Sequence, residues 1–192
     1  QHRKVKPKYS ILLTASDHLY TDDWYLPTGN LRDNTREAQR ADLIVVTKNS
    51  RAVTKAQRQK ISEKLLPKAG QLVLFSYLEY DLALYGTGKF KSLVELKNEK
   101  VTLVTGIANS KPLEQFLNSQ GITFEHLSFS DHHFFKESEI EMLRQKSNIL
   151  TTEKDFMRLQ KAIEGISYIR IKHQFFDDGM EKIASEMTKL MS

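Results

Sequence analysis

A regular alternation of strand-like and helix-like segments after residue 100 most constrains how this chain can fold. Short hydrophobic runs that indicate strands occur at 101–105, 122–129, 148–150 and 166–171. Each run is followed by a segment in which apolar residues recur three or four positions apart, the spacing of a helix with one buried face. Because four strand–helix units follow one another, the sequence predicts an α/β fold, with parallel strands and right-handed crossovers.

The first half of the chain shows the same alternation over a shorter length. It indicates strands at 10–15 and 43–47 and helices at 35–41 and 54–66. Strand-like segments at 72–79 and 90–97 follow, where the alternation lapses. We therefore predict three regions: a first parallel-sheet α/β domain at 1–70, a two-stranded inter-domain connection at 71–99, and a smaller C-terminal α/β domain at 100–192.

Two helices after residue 130 carry further local signals. Ser138 and Glu141 have the spacing of a capping box, which predicts the start of a helix there. The last helix places apolar residues on one face, and this stripe predicts a core position. Its members are Met180, Ile183, Ala184, Met187, Leu190 and Met191.

Composition and charge narrow the possible partners. The chain has no cysteine, and its 29 Lys and Arg against 24 Asp and Glu give a net charge of +5. No hydrophobic run reaches the roughly 18 residues of a membrane span, and no aromatic–basic motif of a nucleic-acid binder is present. Seven basic residues and one acidic residue lie within 48–68. This run is either a solvated helix face or a basic patch for an anionic membrane surface or a phosphorylated substrate.

Polar motifs follow three consecutive strands of the predicted C-terminal domain. They are Gly106–Asn109, Asp131–His133 and Thr152–Asp155. Because the carboxyl ends of parallel strands meet at one edge of a sheet, we expect the motifs to line one site. A carboxylate and imidazoles can handle protons near neutral pH. The alternative is a solvated turn whose rings bond to nearby backbone.

Two other patterns are weaker. Gly86-Thr87-Gly88-Lys89 resembles the end of a phosphate-binding P-loop, but Ala83 stands where the first glycine is needed and Phe90 where the Ser or Thr is needed. We interpret it as a turn. A zinc site built from His126, His132 and His133 lacks a clear fourth ligand.

Five segments, in order and with suitable spacing, resemble one family. They are Gln1-His2-Arg3; Leu26-Pro27-x-Gly29-x-Leu31-Arg32 with Arg40-Ala41-Asp42; Gly106-Ile107-Ala108-Asn109; Asp131-His132; and Thr152-Glu153-Lys154-Asp155. Together they cover nearly the whole chain. They resemble the tetraacyldisaccharide 4′-kinases, the lipid A 4′-kinases of Gram-negative envelope synthesis.

The resemblance implies a P-loop-kinase-like enzyme that uses ATP and Mg²⁺. Such an enzyme moves the γ-phosphoryl group onto the 4′-hydroxyl of a lipid disaccharide 1-phosphate. It implies two α/β/α domains joined by a two-stranded connection, with the active site in the cleft between them. Residues 1–70 would then be the remainder of a partial, P-loop-kinase-like first domain. It also implies a peripheral position on the cytoplasmic face of the inner membrane, and no nucleic-acid partner.

The resemblance further implies that this chain is the C-terminal portion of the kinase. In the family, Gln-His-Arg follows an aspartate pair that helps to hold Mg²⁺, so no metal ligand is expected within this fragment. The P-loop, the aspartate that partners the catalytic histidine and a membrane-anchoring helix are expected upstream. We therefore expect the fragment alone to be soluble and to lack kinase activity.

The resemblance assigns the catalytic role to His132, in the Asp131-His132 motif. Its partner aspartate is expected outside this chain. Neighbours in an extended segment point to opposite sides, so we expect Asp131 to hold the loop or to bond to backbone as a support, not to orient the His132 ring.

Further roles follow from the remaining matches. Arg32 resembles an active-site arginine that offers a planar fork to phosphate, and Asp33 stands where the family has Glu. Lys154 is expected to meet phosphate or the nucleotide. Gln1 and His2 are expected on the nucleotide and metal side of the site.

Two other functions stay open at this point. One is a non-catalytic lipid- or phosphate-binding α/β module that uses the basic run at 48–68. The other is a P-loop phosphotransferase with a different acceptor.

Overall fold

The computed structural model describes residues 7–191 as a succession of strands and helices. The strands are β1 (Ile11–Ala15), β2 (Leu43–Asn49), β3 (Leu72–Gly86), β4 (Val101–Thr105), β5 (Phe124–Ser128), β6 (Ile149–Thr152) and β7 (Ser167–Phe175). The α-helices are α1 (Lys55–Leu65), α2 (Lys111–Ser119), α3 (Glu137–Arg144), α4 (Glu153–Leu159) and α5 (Gly179–Met191). Short 3-10 helices span Thr35–Arg40 and Leu93–Leu96. None of the described helices is long and apolar enough to cross a membrane.

The described residues form two compact units. The first unit contains residues 7–79 and 173–191, and the second contains 80–172. The chain passes from one unit to the other within β3 and again within β7.

The first unit is built on parallel strands in the order β1-β2-β3. Residues Leu43 to Val46 of β2 are buried on both faces, as expected for a central parallel strand with an apolar run. Helix α1 begins where the Thr54 side chain accepts a hydrogen bond from the Gln57 backbone, within a capping box. It ends at Leu65, and the next residue, Leu66, has a left-handed conformation (φ 49°) directly before Pro67.

The basic run at 48–68 is partly neutralised within this unit. Arg58 is buried and forms an ion pair with Asp177. Lys64 lies 2.6 Å from Asp22 Oδ1. The count of basic residues therefore overstates the charge that this segment presents to solvent.

The second unit has parallel strands in the order β7-β6-β4-β5. Strand β4 is central, and all of its residues are buried. Helices α2, α3 and α4 follow β4, β5 and β6 in turn, which confirms the predicted α/β fold with its strand–helix alternation. The register pairs Thr105 with Ser128 and Val104 with Thr151, so the ends of β4, β5 and β6 lie at one edge.

The predicted second strand at 90–97 is wrong. Its centre forms the 3-10 helix at 93–96, in which Leu93 and Leu96 are both buried in the core. Apolar residues three apart satisfy a single helical turn as well as a strand, so the spacing did not decide between them. The segment at 72–79 extends instead to Gly86 as one long strand.

The predicted regions 1–70, 71–99 and 100–192 do not coincide with the compact units. The strands that pass between the units are β3 and β7, not β3 and the segment at 90–97. In addition, α5 belongs to the first unit, whereas the prediction placed it in the C-terminal domain at 100–192.

The apolar stripe of α5 is not a core surface in the described structure. Met180 is 57% exposed and Met191 is 81% exposed. Ile183, Met187 and Leu190 are partly buried, and Ile183 packs against Leu43, Val45 and Leu74. Helical spacing shows that apolar side chains share a face, but it does not show that another element covers that face.

Candidate active site

The candidate site lies in the second unit, where the chain leaves β4, β5 and β6. The three polar motifs predicted from the sequence occupy these strand ends. Two of the motifs, those after β5 and β6, are joined by direct side-chain contacts. The motif after β4 contacts the other two through its first residue, Gly106.

The buried carboxylate of Asp155 joins the end of β4 to the start of α4. Its Oδ2 accepts hydrogen bonds from the Gly106 backbone N–H at 2.9 Å and from the Thr152 hydroxyl at 2.8 Å. The Thr152 hydroxyl in turn accepts from the Asp155 backbone N–H at 3.2 Å, which caps the helix. Asp155 is 0% exposed. These bonds compensate for the burial of its charge.

Gly106 is favoured by this close approach. A Cβ placed on it would lie 3.0 Å from Asp155 Oδ1 and 3.4 Å from the Ser130 carbonyl oxygen. The glycine in this motif therefore serves packing between the strand end and the two neighbouring loops.

Asp131 and His132 form a turn directly after β5. His132 has a left-handed backbone (φ 59°), and its backbone N–H donates to Asp131 Oδ1 at 3.0 Å. The same oxygen accepts a hydrogen bond from Lys154 Nζ at 2.8 Å. This lysine, more than any other group, lowers the pKa of the Asp131 carboxyl below its usual value. Asp131 is therefore an anion at neutral pH.

The His132 ring lies between Asp131 and Arg158. Its side chain is 73% exposed, its Nε2 lies 3.7 Å from Asp131 Oδ2, and its Nδ1 lies 3.4 Å from Arg158 Nη2. The premise that Asp131 and His132 point to opposite sides is wrong, because the left-handed turn replaces the extended backbone on which it relied. The expected bond from Asp131 to backbone is nevertheless present.

Arg158 is a site residue that the sequence reasoning missed. It lies on α4 one turn after Asp155, and its Nη1 lies 3.4 Å from Asp155 Oδ1. Asp and Arg three positions apart on a helix form a neighbouring pair, so this spacing beside Lys154 was a usable signal. The Arg158 guanidinium thus contacts both the buried carboxylate of Asp155 and the exposed ring of His132.

His133 is held by structural contacts on both sides of its ring. Its Nε2 lies 2.9 Å from Glu139 Oε2, and the ring stacks on Phe129 with centroids 4.9 Å apart. Glu139 also accepts a hydrogen bond from the Lys136 backbone N–H at 2.7 Å, and this bond is the main reason that its pKa is lowered. The predicted capping box at Ser138 and Glu141 is therefore wrong. Helix α3 begins two residues earlier, because Glu139 reaches back to the free N–H at residue 136.

The three histidines considered for zinc have separate partners. His126 lies on β5, with Nε2 2.9 Å from the Thr105 hydroxyl and Nδ1 3.5 Å from Glu114. Among residues 7–191, no group of three or more His, Cys, Asp or Glu side chains is placed to hold a metal ion. The described part of the chain therefore offers no cage for zinc or magnesium.

Arg32 and Asp33 lie in the first unit, in the loop between β1 and β2. Both residues are exposed, and Asp33 Oδ1 accepts from the Asn34 backbone N–H at 2.9 Å. Asp23 stabilises the start of this loop by accepting hydrogen bonds from the backbone N–H groups of Asn30 and Trp24, which lower the pKa of its carboxyl. Arg32 and Asp33 thus belong to a different unit from Asp131, His132 and Lys154. Gln1 and His2 lie outside the described residues.

Comparison with known proteins identifies the family. A family model described as tetraacyldisaccharide-1-P 4′-kinase matches residues 1–189. The chain belongs to this family. The tetraacyldisaccharide 4′-kinase of Flavobacterium johnsoniae is 40% identical over 182 residues, which cover 92% of this chain and 53% of the relative. The enzyme of the same name from Flavobacterium psychrophilum is 37% identical over 185 residues, with 93% and 53% covered.

A solved member of the family has the same fold. A crystal structure of LpxK from Aquifex aeolicus, described as an "apo" form in complex with ATP, superimposes with a TM-score of 0.68 at 25% identity. The match covers 100% of this chain and 55% of that chain. This chain thus spans about half the length of the tetraacyldisaccharide 4′-kinases that it matches.

Proposed function

We propose that this chain is part of a kinase that transfers the γ-phosphoryl group of ATP to the 4′-hydroxyl of a tetraacyl-disaccharide 1-phosphate. The observation that carries the proposal is the family match over residues 1–189. The complex of the Aquifex LpxK with ATP supports ATP as the phosphoryl donor. The reaction belongs to lipid A biosynthesis.

The proposed chemistry gives His132 a catalytic role. Phosphoryl transfer depends mainly on positioning and charge stabilisation, but a group must still take the proton of the sugar hydroxyl. We assign this task to His132 together with a partner aspartate. Exposure of the ring at the strand-end edge supports contact with a substrate.

Asp131 and Lys154 support the His132 turn in this proposal. The Lys154 ammonium has three donors, and Asp131 uses one of them in the described structure. The other two are available to a phosphate oxygen. Lys154 therefore combines a contact to the loop with the phosphate or nucleotide role expected from the sequence.

The remaining site residues are proposed from the resemblance. Arg32 presents an exposed guanidinium that suits phosphate, and Asp33 holds the backbone beside it. Gln1 and His2 are proposed on the nucleotide and metal side. Mg²⁺ is proposed as the partner of ATP, but the described residues do not fit it.

The lipid substrate implies a location. We propose that the full-length enzyme acts peripherally on the cytoplasmic face of the inner membrane, where a tetraacylated disaccharide resides. The partly neutralised basic run at 48–68 provides only a modest attraction to anionic lipid.

The proposal is tested with the full-length enzyme and tetraacyl-disaccharide 1-phosphate. ATP labelled on its γ-phosphate is expected to transfer the label to the lipid. A matched lipid that already carries a 4′-phosphate is expected to receive none. Absence of transfer to the first lipid by a folded enzyme, or equal transfer to both lipids, contradicts the proposal.

A further inference from the structure

Arg158 connects the exposed ring of His132 to the buried carboxylate of Asp155. Its Nη2 lies 3.4 Å from His132 Nδ1, and its Nη1 lies 3.4 Å from Asp155 Oδ1. We propose that Arg158 is a positioning residue that holds the neutral His132 ring in the tautomer with its proton on Nε2. The consequence for catalysis rests on the proposed kinase function.

The tautomer follows from the chemistry of the guanidinium. An arginine side chain can donate hydrogen bonds but cannot accept them. The nitrogen that faces it at hydrogen-bond distance must therefore offer a lone pair, so Nδ1 is unprotonated. The proton of the neutral ring is then on Nε2.

The Nε2–H group remains available to another partner. It lies 3.7 Å from Asp131 Oδ2, which is longer than a direct hydrogen bond, and the side chain is largely exposed. In the proposed kinase, this tautomer makes His132 a hydrogen-bond donor to the partner aspartate, and that carboxylate takes the proton of the sugar hydroxyl while His132 orients it. The opposite tautomer would present a lone pair there instead.

Arg158 is itself held at a fixed point of the second unit. Asp155 is fully buried, and its other oxygen is bound by the Gly106 backbone N–H and the Thr152 hydroxyl. The sheet edge holds Asp155, Asp155 holds Arg158, and Arg158 in turn orients the His132 ring. His132 lies in a loop, so its accurate positioning requires such contacts to a rigid part of the fold.

The first test is the nitrogen-15 spectrum of the His132 ring in the 192-residue chain. At about pH 8.5 an ordinary imidazole is neutral, so its two tautomers are distinguished by which nitrogen carries the proton. The wild-type ring is expected to be protonated on Nε2, with the signal assigned by its loss in His132→Gln. A wild-type ring protonated on Nδ1 overturns the proposal without any further variant.

Variants of Arg158 then test the cause. Arg158→Met removes the donors and is expected to abolish the preference for Nε2–H, whereas Arg158→Lys keeps a donor and is expected to retain it. Arg144→Met is the matched control, because Arg144 also pairs with a carboxylate, that of Glu141, in the same unit. An unchanged tautomer in Arg158→Met, or the same change in the control, overturns the proposal.

The kinetic test uses the full-length enzyme. Arg158→Met is expected to lower kcat about tenfold or more with less than about a threefold change in KM, because a histidine in the wrong tautomer loses its contribution. Arg158→Lys is expected to recover most of the activity. Wild-type kcat in Arg158→Met overturns the kinetic claim. If the wild-type enzyme has no kinase activity, the proposed function fails, and the ring spectra still decide the positioning role.

Discussion

Lys154 Nζ lies 2.8 Å from Asp131 Oδ1 and joins the first turn of α4 to the turn that follows β5. This contact brings together two residues that are 23 positions apart in the sequence. The sequence predicted both as site residues but did not predict that they pair. The pairing fixes the turn that carries His132.

Substitution of Lys154 by Met is expected to raise the pKa of Asp131 toward its ordinary value. The ammonium is the largest cause of the lowered pKa, so its removal leaves the backbone N–H of His132 as a weaker stabiliser of the carboxylate. Carboxyl carbon-13 titration of Asp131 measures the change. Lys161→Met, on an exposed residue, is the control, and an unchanged Asp131 titration in Lys154→Met contradicts the assignment.

The sign of the associated pH dependence follows from this pKa. A carboxyl whose pKa is lower in the folded protein adds stability above its unfolded value, and loses that contribution as the pH falls through the folded value. Because the pair is exposed, the effect is small. It is expected only on the acidic side of the ordinary aspartate pKa, and Lys154→Met is expected to reduce it.

Substitution of Asp155 by Ala is expected to destabilise the second unit by about 2–4 kcal/mol. The change leaves the buried Gly106 N–H and Thr152 hydroxyl without their acceptor and so loosens the Thr152 side chain that caps the helix. Denaturant unfolding measures the loss. Glu153→Ala, at the neighbouring exposed position, is the control and is expected to change stability by about 0.5 kcal/mol or less. Equal effects of the two substitutions would contradict the structural role of Asp155.

Substitution of Arg58 by Ala is expected to destabilise the first unit by about 2–3 kcal/mol. Arg58 Nη2 lies 3.1 Å and 2.9 Å from the two Asp177 oxygens, and its guanidinium lies 4.2 Å from the centre of the Phe176 ring. Thermal or denaturant unfolding checks this value. Lys60→Ala, at an exposed position of α1, is expected to have little effect. A loss no larger than that of Lys60→Ala shows that the pair is unimportant.

Arg58 also shows what sequence reasoning can and cannot supply. Charge counting placed it in a solvated face or a basic patch, although it is buried and pairs with Asp177, 119 positions away. Such pairing is a tertiary property that no local pattern contains. The α/β alternation after residue 100 was predictable because it depends on spacing within each element.

The candidate site was predictable only to the level of its motifs. The shared strand edge followed from topology, so Asp131 and Lys154 were both selected. The left-handed turn at His132 was missed because an extended backbone was assumed, and Arg158 was missed because its partners come from two different segments. Side-chain geometry across loops depends on backbone angles that the residue types here did not fix.

The 192-residue chain by itself is expected to show no kinase turnover and little affinity for ATP. It spans about half the length of the relatives that it matches. Calorimetric titration with ATP and Mg²⁺, together with an assay for lipid phosphorylation, tests this expectation. Turnover by the chain alone contradicts it. Binding of the lipid disaccharide without ATP would instead favour a binding module within this part of the protein.

The most direct test of the central claim is kcat/KM of His132→Ala in the full-length kinase, with the fold of the variant verified. Loss of a group that takes part in general base catalysis is expected to lower kcat/KM by about 10²-fold or more. His173→Ala, at an exposed position in the first unit, is the control and is expected to keep wild-type activity. A fall of about 10²-fold or more in His132→Ala alone supports the account. A loss smaller than about threefold contradicts the catalytic role of His132.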